Sequence, residues 1–413
     1  MSLVVMKFGG TSVKDLECMR QVQARVQRWL NEGDKVVVVL SAMAGRTNRL
    51  LEMARQWSPN PDPAELDSLV STGEQVSVSL FTMLLKDAGI KARSLLGFQV
   101  PITTDSVFTK ARIADIDAAR MKKMLKDLDV LVVAGFQGCD EELRITTLGR
   151  GGSDTSAVAL AAALSADVCE IYTDVTGVFT TDPNVCSNAR KLDAISYDEM
   201  LEMASQGAKV LQIRSVEFAK KYTVRVHVRS TFSDEPGTIV TKEEELMEAL
   251  VVSGIAYDKD QARITIADVA DKPGICAAIF SPLAEKKILV DMIVQNASSK
   301  GRTDVTFTVA RADLSQTLKI LEKQKYEIGY KELLHDKNVC KVSVIGMGMR
   351  NHSGVAAKAF RALSAENINI LMISTSEIKI TCLIDEKYTE LAVRTLHNAF
   401  GLDKAEAGQR VKE

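Results

Sequence analysis

Lys7 ends a short apolar run, residues 3–6, and is followed at once by Phe8, Gly9, Gly10, Thr11 and Ser12. An ammonium beside two residues without side chains lets positive charge and bare backbone N–H groups close on one anion, which is what a phosphate needs. The order differs from a Walker A loop, where the lysine follows the glycines. A second run, TLGRGGSDTSA over residues 147–157, sets Gly149, Gly151 and Gly152 around Arg150 and follows them with Ser153, Asp154, Thr155 and Ser156. Its glycines expose donors, and its guanidinium offers a planar fork to carboxylate or phosphate. Its hydroxyl and acidic residues suit the start of the helix that the small-residue stretch 158–166 predicts. A third run, EIYTDVTGVFTTDPN over residues 170–184, places Thr173 and Asp174 after a short strand and closes on an Asp182-Pro183 turn.

The elements that must hold these runs alternate up to about residue 240. Strands are expected at 3–6, 36–40 and 130–134, and helices at 16–32, 50–56 and 65–88. Continuously apolar strands separated by helices read as a parallel sheet buried on both faces, an α/β sandwich. Residues 58–63 hold three prolines and read as a loop, and the acidic stretch 242–249 reads as a helix-prone linker.

Beyond the linker the chain repeats itself at an offset of 80 residues. Ile264, Gly274, Ala277, Phe280, Leu283, Ile288 and Met292 recur as Val344, Gly354, Ala357, Phe360, Leu363, Ile368 and Met372. One offset throughout means two copies of one unit, each read as a ferredoxin-like βαββαβ arrangement. Gly346-Met347-Gly348 opens like a dinucleotide fingerprint, but the third glycine is misplaced, so it reads as a ligand-facing turn of the second copy.

Composition narrows the partners. The 413 residues suit two or three domains, 46% are hydrophobic, and 52 basic residues against 54 acidic ones give no bulk charge with which to attract nucleic acid or membrane. No apolar stretch reaches membrane-spanning length and no leader pattern opens the chain, so a cytoplasmic location is expected. The seven cysteines are scattered singly, which argues against a disulfide framework. None of the four histidines lies in the glycine-rich runs.

These runs, with GAKVL at 207–211, resemble the amino acid kinase family and, within it, the members that phosphorylate aspartate; the likeness extends over essentially the whole chain. The repeat resembles the ACT domain, a small-molecule sensing module often joined to enzymes of amino acid biosynthesis. The resemblance implies an α/β fold: a three-layer αβα kinase domain with a mainly parallel sheet over 1–245, then ferredoxin-like ACT domains over 263–335 and 340–413. It implies ATP-dependent phosphorylation of the side-chain carboxylate of L-aspartate to 4-phospho-L-aspartate, the first step toward lysine, threonine and methionine. ATP would arrive with Mg²⁺, lysine and/or threonine would act as feedback effectors, and a homo-oligomer would form through the ACT domains. The acceptor carboxylate is already ionised at neutral pH, so no general base is needed.

Residue by residue, the resemblance gives Lys7 the transferring phosphate and gives Gly9 and Gly10 backbone donors to it. Phe8, Thr173, Asp174, Phe179, Asp182, Lys209 and Val210 complete the ATP site, with Lys7, Asp182 and Lys209 catalytic. Ser41, Thr47, Glu74, Arg150, Gly151, Gly152, Ser153 and Asp154 fall to aspartate, Arg150 meeting carboxylate and Glu74 or Asp154 the α-ammonium. Effectors are expected where the two copies meet. In the first copy that means Asp271, Lys272, Pro273, Gly274, Ile275, Cys276, Leu289, Val290, Asp291, Gln295 and Asn296. In the second it means Val355, Ala356, Asn369, Ile370, Thr375 and Ser376. The family commonly has an arginine after the Asp-Pro turn, where this chain has Asn184. Two rivals stay open: a kinase of another carboxylate or carbamate, and an amino acid sensor without catalysis, against which the intact set of Lys7, Gly9, Gly10, Arg150, Asp174 and Lys209 argues.

Overall fold

The structure is a computed structural model and describes residues 2–208, 210–246, 250–296 and 301–404. The first part of the chain runs β1 (Leu3–Phe8), α1 (Leu16–Asn31), β2 (Lys35–Leu40), α2 (Arg46–Trp57), α3 (Pro63–Asp87), β3 (Ala92–Leu95), β4 (Ile102–Thr104), β5 (Ile113–Ile116), α4 (Ala118–Met124), β6 (Val130–Ala134), β7 (Gln137–Cys139) and β8 (Ile145–Thr147). It continues with α5 (Gly152–Leu164), β9 (Val168–Thr173), β10 (Ala194–Ser196), α6 (Tyr197–Ser205), α7 (Ile213–Tyr222), β11 (Val226–Ser230) and β12 (Thr238–Thr241).

Eight of these strands form one sheet in the order β10-β12-β11-β9-β1-β2-β6-β3, parallel except where β11 meets β12. Val36, Val37, Val38 and Val39 of β2 are all fully buried, each contributing about 1.5–3 kcal/mol. Alternate residues serve the two faces. Val5, Val37 and Val39 pack with Val158 of α5, Met200 of α6 and Val216 of α7. Val4, Met6 and Phe8 pack with Val22 of α1 and Phe81 of α3. A small sheet, β5-β4-β7-β8, stands beside this three-layer body. The proline stretch ends one residue earlier than a pure loop would, because Asp62 caps Ala64 and Glu65 and Pro63 opens α3.

The C-terminal part runs β13 (Gly254–Ala270), α8 (Ile275–Glu285), β14 (Val290–Gln295), β15 (Arg302–Val309), α9 (Leu314–Lys323), α10 (Lys325–Ile328), β16 (Glu332–Ile345), α11 (Val355–Ala365), β17 (Ile370–Thr375), β18 (Lys379–Asp385) and α12 (Thr389–Ala399). Its six strands make one antiparallel sheet, β14-β15-β13-β16-β18-β17. This corrects the expectation of two self-contained repeats. β13 pairs with β16 from Gly254 to Ala267, with register shifts near Gln261, so residues 254–258, which precede the first copy, lie beside 341–345 and serve as the fourth strand of the second copy. No described strand follows α12 to fill that place.

Two further expectations change. The linker is a single 3₁₀ turn, Glu243–Glu245, rather than a helix, and 247–249 lie outside the described residues. The Gly346-Met347-Gly348 turn is covered rather than ligand-facing: a Cβ at Gly346 would sit 2.4 Å from the Val251 carbonyl oxygen, and Met347 N–H donates to Glu199 Oε1. Among the described residues no helix is long and apolar enough to cross a membrane.

Candidate functional site

The expected residues gather at the carboxyl ends of the parallel strands, where open α/β sheets leave a crevice. Lys7 Nζ lies 2.7 Å from Asp154 Oδ1, and both side chains are close to nine-tenths buried. Asp154 is therefore committed to Lys7 rather than standing free for an ammonium, and its Oδ2 accepts a long bond from Gln212 N–H. Gly151, at φ +72°, turns the chain into α5 where a Cβ would meet Gln212 Cγ at 2.5 Å, a close approach only glycine tolerates. Arg150 is exposed on this turn, and Ser153 packs against Gly135 at the end of β6. Phe8 is fully buried and stacks on Tyr172 with centroids 4.6 Å apart, so its side chain belongs to the core and not to a ligand surface. Gly9 N–H is directed to the Tyr172 carbonyl at 3.4 Å, which takes up the donor expected for phosphate. Gly10 lets the chain cross the loop after β2, since a Cβ would lie 2.6 Å from the Ala42 carbonyl oxygen.

Across from this corner, α3 carries Glu74, which is 3% exposed. Its Oε1 accepts Ala42 N–H at 3.0 Å, while Oε2 is buried with no hydrogen-bond partner. Burial pushes the carboxyl up to about 7. Ser41, just before Ala42, and Thr47, in the first turn of α2, are both half-buried. Motif reading missed Asp67, which is fully buried on the same helix. It accepts Thr109 N–H, Thr147 N–H and Thr147 Oγ1–H, and so ties the start of the TLGRGG turn to α3. An aspartate two turns before Glu74 in a helical pattern was the available signal, but nothing local marks it as buried.

A cleft of about 700 Å³ opens beside Thr173, Asp174, Phe179, Asp182 and Val210. Thr173 Oγ1 donates to Asp174 Oδ1 at 3.0 Å. Asn184 folds back on Asp182, its N–H and Nδ2 both donating to Oδ1 at 2.9 and 3.0 Å. Lys209 lies outside the described residues. The cleft's other wall is unexpected: it comes from β13, residues 255–260, and from Arg311. Tyr257 OH donates to Asp182 Oδ2 at 3.0 Å, and burial, with that acid beside it, pushes the phenol up to about 12.

In the C-terminal sheet a cavity of about 400 Å³ is lined by Asp271, Lys272, Pro273, Gly274, Ile275, Cys276 and Gln295. Cys276 Sγ donates to Gln295 Oε1 at 3.1 Å. Its described lining belongs to the first copy alone, whereas the seam between copies is apolar, built from Met292, Val339, Met372 and Leu383. Asp291 is held through Oδ2 by Lys341, a lysine 2% exposed whose Nζ is also 3.8 Å from Asp258 Oδ2, so part of its charge is already balanced. Leu289 points to solvent, Val290 lies half-buried at the start of β14, and the Asn296 carbonyl accepts Thr303 Oγ1–H. In the second copy Gly354 repeats the left-handed turn of Gly274, at φ +94° against +92°. There Val355 is buried, Ala356 and Ile370 are half-buried, Asn369 is exposed, and Thr375 and Ser376 end β17 at a hairpin closed by Ser376 N–H to the Lys379 carbonyl.

A model of the amino acid kinase family matches residues 2–230, and an ACT domain model matches residues 265–324 and 342–400. The chain is 55% identical to the aspartokinase of Pseudomonas aeruginosa over 98% of each chain. It is 50% identical to the aspartokinase of Helicobacter pylori over 97% of this chain and all of that one. Among solved structures, that of E. coli aspartokinase III in complex with aspartate and ADP (R-state) aligns with TM-score 0.82 at 28% identity, over 96% of this chain and 99% of that chain. The same protein in complex with lysine and aspartate (T-state) aligns with TM-score 0.74 over the same shares.

Proposed function

We propose, on the premise that the chain belongs to the amino acid kinase family and within it to the aspartate kinases, that it transfers the terminal phosphoryl group of ATP to the side-chain carboxylate of L-aspartate. The observation that carries this reading is Glu74, a buried carboxylate with one unpartnered oxygen beside the loop after β2. Such a group is costly unless a cation meets it, and an amino acid's α-ammonium is a cation of the right size. Arg150, exposed on the opposite turn, is the partner for a substrate carboxylate.

Lys7 faces the transferring phosphoryl group, its ammonium held in place by Asp154, and neutralises charge as the bond to the leaving oxygen stretches. The attacking oxygen belongs to the ionised substrate carboxylate, so no residue removes a proton. Thr173, Asp174, Phe179, Asp182 and Val210 form the nucleotide site along the 700 Å³ cleft, and Lys209, which lies outside the described residues, is assigned to it by the family resemblance alone. Mg²⁺ comes bound to the nucleotide phosphates and supplies further charge neutralisation. The kinase unit spans 1–245, and the two ACT units take 263–335 and 340–413 with residues 254–258 added to the second. Lysine and/or threonine bind the cavity at Asp271–Gln295 and favour a less active arrangement, placing the enzyme at the head of lysine, threonine and methionine synthesis. A relative bound to lysine supports this reading. Copies associate through the edge strands β14 and β17, which carry the exposed apolar Ile293 and Ile373.

A coupled assay of ADP formation tests the reading. Activity with aspartate but not glutamate or N-acetylglutamate, reduced by millimolar lysine plus threonine, is the expected result. Turnover of another carboxylate in preference to aspartate would overturn it.

A further inference from the structure

The cleft that receives the nucleotide in the reading above is built by two domains. Its described lining carries Asp174, Asp182, Asp258 and Asp260, an acidic surround for an anionic ligand, against two cations, Lys259 and Arg311. Arg311 is already spent: Nε donates to the Gln261 carbonyl, and the second guanidinium nitrogen donates to the Val339 carbonyl and to Glu386. All four acids are engaged too, Asp174 by the Thr173 hydroxyl. Asp182 accepts Tyr257 and Asn184, Asp258 accepts Gln261 and faces Lys341, and Asp260 accepts Arg311 N–H. Lys259 is exposed at the rim, its ammonium 6.0 Å from the Tyr257 ring centre, and among the described lining residues it is the cation with no carboxylate partner.

We propose that β13 completes the nucleotide site: Lys259 binds the nucleotide's phosphate charge, and Tyr257 is a positioning residue that holds Asp182 from the far side of the cleft. This inference rests on the cleft being the nucleotide site. The positioning role follows from the geometry, since Asp182 Oδ1 is fixed by the Asn184 turn and Oδ2 by the Tyr257 hydroxyl, whose raised pKa keeps it a donor across the working pH range. Gly207, at φ +105°, presses the loop before residue 209 onto the Tyr257 carbonyl, so the two walls are in backbone contact. The same strand continues, through register shifts near Gln261 and between Ile266 and Val269, to Ala270, one residue before the cavity that begins at Asp271. Nucleotide and effector then touch opposite ends of one element, and each must feel a shift in its position.

The test compares Lys259→Met, Lys259→Arg, Tyr257→Phe and Phe179→Ala in the full chain, with Michaelis constants for ATP and for aspartate at two ionic strengths. Lys259→Met is expected to raise KM for ATP about tenfold and leave KM for aspartate unchanged. Lys259→Arg should restore it, and the salt dependence of KM for ATP should be shallower in the methionine variant, which a merely structural role would not produce. Tyr257→Phe should raise KM for ATP about threefold and leave KM for aspartate unchanged. If Phe179→Ala raises KM for ATP while Lys259→Met and Tyr257→Phe do not, the inference is overturned and the cleft assignment stands. If Phe179→Ala has no effect either, the cleft is not the nucleotide site and both fall.

Discussion

Replacing Glu74 with glutamine should reverse the usual outcome of losing a binding carboxylate: a more stable protein that uses aspartate poorly. The carboxyl titrates near 7 in the folded chain against 4.5 in the unfolded one, with burial the cause. Between those values the folded state holds the extra proton, so stability falls as pH rises from 4.5 to 7 and stays lower above it. A difference of about 2.5 pH units at about 1.4 kcal/mol each amounts to about 3 kcal/mol at pH 8 in the ligand-free enzyme. Glu74→Gln removes the ionisation but keeps an acceptor for Ala42 N–H, so it should recover up to about 3 kcal/mol at pH 8 and nothing at pH 4.5. Substrate binding shows the mirror image. Only the ionised form meets an ammonium, so kcat/KM for aspartate in the native enzyme should rise about tenfold between pH 6 and pH 8, while the glutamine variant stays low and flat. Urea unfolding at both pH values and aspartate kinetics across the range measure the two halves. A variant no more stable than the native chain at pH 8, or one that keeps the rising aspartate profile, would refute the placement of Glu74 against the α-ammonium.

Lys7→Ala should lower kcat about a hundredfold or more, since a preorganised charge on a transferring phosphoryl group is worth about 3 kcal/mol, and it also strips Asp154 of its partner; near-normal turnover in a folded variant would contradict the role. Arg150→Ala should raise KM for aspartate with KM for ATP nearly intact, and an ATP-only defect would put this residue on the wrong substrate. Gln295→Ala, in the wall of the first-copy cavity, should raise the lysine or threonine concentration needed for half-inhibition, read directly from inhibition curves. Glu199→Ala should cost about 2–3 kcal/mol in thermal or urea unfolding, because this fully buried carboxylate accepts Ser253 Oγ–H and Met347 N–H from the C-terminal part and Ser196 from its own helix; a variant with native stability would deny it that role.

What the sequence determined by itself was the local chemistry. A lysine before paired glycines, a glycine-arginine turn opening a helix of small residues, and continuous valine runs each carry their meaning within a dozen residues, so the αβα sheet was legible there and Lys7 and Arg150 stood out, whereas Glu74, which alone reads as a solvated cap, was singled out only by the resemblance of its run to the family. The offset of 80 residues likewise disclosed the C-terminal repeat. What the tertiary structure alone decided was how these pieces pair. Residues 254–258 lie next to 341–345, so that among the described residues a strand from before the first copy fills the edge beside the second. Asp182 and Tyr257 are 75 residues apart, and Lys341 and Asp291 are 50 apart, so neither contact leaves any mark on the spacing of neighbours. Periodicity reports which face of an element is buried; it does not report what the buried polar group will meet. That Asp154 would be taken by Lys7, and that one oxygen of Glu74 would be left without a partner, follow from packing across three layers, where burial makes every unpaired charge costly and every available partner decisive.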